Sequence, residues 1–207
     1  MNAGQNTEQL MASLTAALQP VRPLRPPVVR ALLWLALIGV LVGVPLLLLA
    51  NLQRFALRNA DPRVALELGA TLLTGITAVV AAFHLSIPDR TRAWIYAPLP
   101  PLLLWLGSSG LGCLQNGVGE LDFQCLMFVV AASVPLGLLL FVFLRRARPI
   151  TPLSVAVMGG LGIAGIAAFV LQFFHPFDVT VIDLAVHLMA VLLVMGAAAL
   201  VSRRALA

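Results

Sequence analysis

Two cysteines, three histidines and eight carboxylates are the reactive or ligating side chains of this chain, and most of the suggestive ones cluster late in the sequence. Cys113 and Cys125 are joined by "LQNGVGELDFQ", a connection long enough, with Gly117 and Gly119, to let the two sulfurs meet. On an oxidising side of a membrane such a pair can form a disulfide; the competing reading is two small apolar residues that pack well. His175 stands in "FFHPFD", and Asp183 and His187 follow, four positions apart. That spacing puts carboxylate and imidazole on one face of a helix. Cys, His and Asp facing one another are donors for a soft or borderline metal ion, with Cys125, His175 and His187 as the candidate ligands. Against this, no dense CxxC or HxxxH pattern is present, and a His–Asp pair often satisfies only itself. Glu67 and His84 lie near opposite ends of one apolar run and read as boundary residues. No GxSxG, HExxH, P-loop or Rossmann glycine pattern occurs. The expectation is a protein without enzymatic activity and without a cofactor, a sensed metal ion aside.

The elements that must position these residues follow from composition. At 61% hydrophobic and 10% charged, with a mean hydropathy of +1.03, the chain is too apolar for a soluble domain of this length. A bilayer is the solvent that such a composition fits. Six charge-poor segments stand out, at residues 29–50, 64–85, 97–113, 124–144, 152–174 and 181–201. Each approaches the roughly 20 residues needed to cross about 30 Å of hydrocarbon as a helix. The expected fold is therefore all-α: a polytopic bundle of six transmembrane helices. Small residues recur at helical spacing as Thr74, Ala78, Ala82 and as Gly160, Ala164, Ala168, which reads as close helix packing.

All 13 basic residues are arginines, and their distribution sets an orientation. With the N-terminus inside, Arg22, Arg25, Arg30, Arg90, Arg92, Arg145, Arg146, Arg148, Arg203 and Arg204 are cytoplasmic. Only Arg54, Arg58 and Arg63 are then outside, and the later outer loops carry Glu120, Asp122, Asp178 and Asp183 instead. The expected location is a cytoplasmic (inner) membrane, with both termini, including residues 202–207, on the cytoplasmic side. The pI near 11 reflects these flanking arginines, so no direct nucleic-acid contact is expected.

The first 28 residues form a tail without an apolar core, and no secretory signal is read there. Within "TEQLMASLTAALQP", Leu10, Leu14, Ala17 and Leu18 share one side of a helix over about residues 7–18, with Thr7 as a candidate cap. Pro20 stops it, and the Pro/Arg segment at 19–27 then runs extended. This is either a helix lying on the bilayer surface with a basic anchor, or a docking element for a soluble protein on a stiff spacer. In the second case Leu10, Leu14, Leu18, Val21, Arg22, Leu24 and Arg25 form the docking surface.

The layout resembles a known family. A tail with "LQPVRPLRPPVVR" precedes six spans, and the fourth starts near a cysteine and ends in "PLGLLLFVFLRRARPITP". The fifth is glycine-rich, and "HPFD" precedes a sixth that bears a histidine. Together these features, spread over essentially the whole chain, resemble the NrsF family of bacterial polytopic membrane anti-sigma factors. The resemblance implies a negative regulator that holds an extracytoplasmic-function sigma factor at the inner face of the membrane. A signal at the membrane or periplasmic side, heavy metal or oxidant in members of the family, then frees the sigma factor for RNA polymerase. Periplasm-facing cysteines are part of that pattern. Cys125 matches the first; where the family has a second cysteine followed by proline, this chain has His175–Pro176. The departure leaves Cys125 with His175 as a mixed metal site, or Cys125 with Cys113 as a thiol pair. The alternative from another class is a small transporter or ion carrier, although the spans lack deeply placed charges and a duplicated half. The sequence sets no oligomeric state.

Overall fold

The computed structural model describes residues 3–16, 23–120, 123–147, 149–174 and 179–206. Among these residues there are eight α-helices, one short 3₁₀ segment and no strand. A tail helix α1 (Ala3–Ala16) precedes α2 (Pro27–Leu49), a short α3 (Leu52–Arg58), α4 (Pro62–Leu85), α5 (Leu99–Asn116), α6 (Gln124–Arg145), α7 (Pro152–Leu171) and α8 (Val181–Leu206). Six of them (α2, α4, α5 with the 3₁₀ segment before it, α6, α7 and α8) are long and apolar enough to cross a membrane. The six-span, all-α expectation holds.

The helix ends correct the sequence reading in detail. The tail helix begins at Ala3, so Thr7 lies inside it rather than at its cap. Helix α5 runs three residues beyond Cys113 and stops at Gly117, whose φ of 74° is open to glycine and strained for other residues. Helix α7 stops at Leu171; Gln172, Phe173 and Phe174 follow in tight turns whose amides reach back only three residues. Helix α8 continues through Arg203 and Arg204, cations that suit the negative end of a helix. Helix α3, which the sequence reading did not anticipate, lays Phe55 flat against Phe173 with ring centroids 4.1 Å apart.

Helices α4 and α7 form the centre. Thirteen of the 20 residues of α7 are buried, against six of 23 in α2, so α7 is enclosed by protein and α2 is peripheral. The two central helices touch backbone to backbone. A Cβ on Gly165 would stand 3.0 Å from the Gly75 Cα, and one on Gly75 would stand 2.9 Å from the Ile166 nitrogen. Both small-residue stripes are buried, as close packing requires: Thr74, Ala78 and Ala82 on α4, and Gly160, Ala164 and Ala168 on α7.

Long-range bonds sort the helix ends into two groups. At the tail end, Arg30 from the first turn of α2 donates to the Phe143 carbonyl (2.7 Å) and, at 3.5 Å, to the Ser86 hydroxyl. Its guanidinium also lies over the Phe83 ring, 5.2 Å from the centroid. Arg30 is buried, so it is a clamp joining α2, α4 and α6 as well as a topological charge. Replacing it by Ala should lower stability by about 1.5–3 kcal/mol, the usual range for a hydrogen bond to a charged group. Lysine should restore little, because it lacks the planar fork that serves several acceptors and the ring together. Thermal unfolding in detergent checks both.

Candidate functional site

At the opposite end, α4, α5, α7 and α8 converge on one buried carboxylate. Glu67 lies in the second turn of α4 and is 4% exposed. Its Oε1 accepts from the Ser109 hydroxyl of α5 at 3.0 Å and, at the limit of bonding distance, from the Gln172 amide just past α7 at 3.5 Å. Such bonds are what lets a carboxylate be tolerated inside a bundle. Glu67, Trp105, Ser109, Gln172, Val179, Leu184 and His187 line a cleft with room for about one water molecule. Glu67 and His187 interact electrostatically.

The Asp183–His187 pair is formed as the spacing predicts. His187 Nδ1 lies 2.9 Å from the Asp183 carbonyl oxygen and 3.5 Å from its Oδ1. Both are acceptors, so Nδ1 carries the hydrogen. Cys113, in the last turn of α5, is buried within electrostatic reach of Glu67, Asp183 and Arg63. Arg63 lays Nη1 directly on Gly112, and neither this atom nor Nε has a hydrogen-bond partner among the described residues.

Cys125 sits elsewhere. It is 3% exposed and belongs to the main apolar core with Val129, Leu171 and Ala190. No disulfide joins the two cysteines here. Among the described residues no three His, Cys, Asp or Glu side chains gather closely enough to hold a metal ion. His175, one of the three candidate ligands, lies outside the described residues, as do Leu18, Val21 and Arg22 of the docking surface. The other residues expected to form a docking surface, Leu10, Leu14, Leu24 and Arg25, are all exposed.

Two residues read as boundary positions turn out to be buried. Glu67 is the hub of the polar cluster, and its signal was legible: it continues the stripe Thr71, Thr74, Ala78, Ala82 at helical spacing. His84, near the tail end of α4, stacks on Trp94 with centroids 3.9 Å apart, and neither ring nitrogen has a hydrogen-bond partner among the described residues.

Fold and site define a polytopic helical bundle with a polar cluster at one end and, at the other, a separate helix on a Pro/Arg spacer. Residues 14–207 match the NrsF family, described as negative regulator of sigma F. The chain belongs to that family, a family of sigma-factor regulators. The match takes in the spacer and all six spans but begins inside α1, after Leu10. No curated protein and no solved structure matches the chain.

Proposed function

We propose that the chain is a membrane-embedded anti-sigma factor that sequesters an extracytoplasmic-function sigma factor at the cytoplasmic face of the bacterial inner membrane. A periplasmic or membrane stress signal, heavy metal or oxidant, releases it. The observation that carries this reading is the bare apolar face of α1. Leu10, Met11 and Leu14 are 58%, 55% and 60% exposed, in a helix that precedes the bundle by a proline-rich segment. An amphipathic helix offers such anchors to a groove on a partner. The arginine asymmetry supports placing this end in the cytoplasm. Exposed Arg90, Arg92, Arg145 and Arg146 beside it suit an acidic partner, with association that weakens as salt rises.

The test is co-purification. The intact protein should carry the sigma factor out of the membrane, and a version lacking residues 1–27 should not. Retention by the truncated protein would remove the tail as the docking site. On the receiving side, Cys113, Cys125, His175, Asp183 and His187 are the proposed redox or metal sensor residues, a soft or borderline ion being the metal such donors suit once they are brought together. Cys125→Ser should hold the sigma factor at rest and lose most of the stress-induced release, read as reporter transcription with and without the metal or oxidant. Undiminished induction in that variant would count against Cys125.

A further inference from the structure

We propose that residues 116–119 form a latch on the amino end of α8, and that opening this latch is the step that carries an event at the polar end of the bundle to the tail end. The proposal rests on the anti-sigma reading and supplies its missing mechanical link. The first four N–H groups of an α-helix have no partner within the helix. In α8 two of them are satisfied by a distant loop: Val181 donates to the Gly117 carbonyl and Ile182 to the Val118 carbonyl, each at 3.1 Å. Asp183 is satisfied locally by the Thr180 hydroxyl at 3.3 Å, and Leu184 makes the first bond of the helix itself, to the Thr180 carbonyl at 3.0 Å. A third inter-segment bond runs from the Asn116 side-chain amide to the Val179 carbonyl at 3.2 Å.

Glycine makes the grip possible. Gly117 and Gly119 have φ of 74° and 76°, and a Cβ on Gly119 would overlap the Thr180 side chain. The latch lies between the two thiols, three residues beyond Cys113 and six before Cys125. A bond between the two sulfurs would have to close across this segment. What it holds is a single continuous helix of 26 residues, about 39 Å long at 1.5 Å per residue. The far end of α8 carries exposed Arg203 and Arg204. A stiff helix carries an axial shift of one end to the other, and the latch bonds are what fix the amino end of α8 to the neighbouring loop.

Hydrogen exchange on the full-length protein in a membrane mimetic, with and without its sigma factor, tests this. Gly119→Ala should raise exchange at the Val181 and Ile182 amides at least tenfold and leave the amides of α7 protected. It should also cut the sigma factor retained without stress at least tenfold. Gly69→Ala, where a Cβ meets nothing within 4 Å, should behave as wild type in both measurements. Unchanged exchange at Val181 and Ile182 overturns the latch, and raised exchange with full retention overturns its role in signalling. If Gly119→Ala exposes the α7 amides, Asn116→Ala decides instead, since it removes one bond without straining the backbone. Faster exchange at 179–182 with lower retention supports the proposal, and either one unchanged overturns it. A wild-type protein that holds no sigma factor would fail the anti-sigma reading alone. The latch is then judged by Gly119→Ala alone: faster exchange at Val181 and Ile182 sustains it, and unchanged exchange refutes it.

Discussion

Replacing Leu10 and Leu14 together by Asp should abolish recovery of the sigma factor with the protein while leaving the bundle intact. The two side chains lie one turn apart on α1 and are 58% and 60% exposed, so they contribute no core packing. Burying a leucine side chain is worth about 1.5–3 kcal/mol, so losing two anchors removes about 3–6 kcal/mol, or two to four decades in Kd. A carboxylate at an apolar contact adds a desolvation penalty in the same direction. Unaltered thermal unfolding of the variant would show that the loss is one of docking. A variant that still binds within tenfold of wild type would place the contact surface elsewhere, the Arg145–Arg146 turn being the next candidate. The same substitution separates docking from mere attachment to lipid. A helix that only lay on the bilayer would lose membrane contact and leave the sigma factor bound.

The second large effect belongs to the bundle itself. Gly165→Val should destabilise the protein by about 3 kcal/mol, the upper part of the range for overpacked cores. Its first added atom would stand 3.0 Å from both the Cα and the nitrogen of Gly75. Backbone cannot swing aside as a side chain does, so α4 and α7 must separate along their length. Gly39→Val serves as the control, because a Cβ there meets nothing within 4 Å and the residue is exposed. Its effect should stay near the small values usual for open sites, about 0.5 kcal/mol. Equal unfolding midpoints for the two variants would mean that the α4–α7 crossing is not the tight point of the fold.

Reading the sequence for side-chain contacts succeeded where the signal was local and failed where it was shared between helices. The Asp183–His187 pair follows from a spacing of four within one helix, and the structure forms it. The boundary reading of Glu67 came from treating one apolar run in isolation. Ser109 and Gln172 lie 42 and 105 residues away from it, and nothing in the sequence announces that they meet. The helix ends were misread for a related reason. Hydropathy reports where hydrocarbon ends, whereas Gly117 decides where the backbone of α5 ends and α8 stays helical through Arg203 and Arg204.

What the sequence determined by itself is the six apolar spans, their helical state, the arginine asymmetry and a helix in the tail. Each depends on composition or on neighbours within a turn or two, and in hydrocarbon the helix is the state that satisfies every backbone group within the segment. Only the tertiary structure decided that α7 is the enclosed helix and α2 the peripheral one, because beyond Arg30 both are apolar along their length and differ in their neighbours rather than in polarity. It also decided that Arg30 is a clamp, that Glu67 is a hub, and that the loop between the two cysteines closes on the end of α8. These arrangements join residues from 42 to 113 positions apart, and their bonds exist only once the helices have packed.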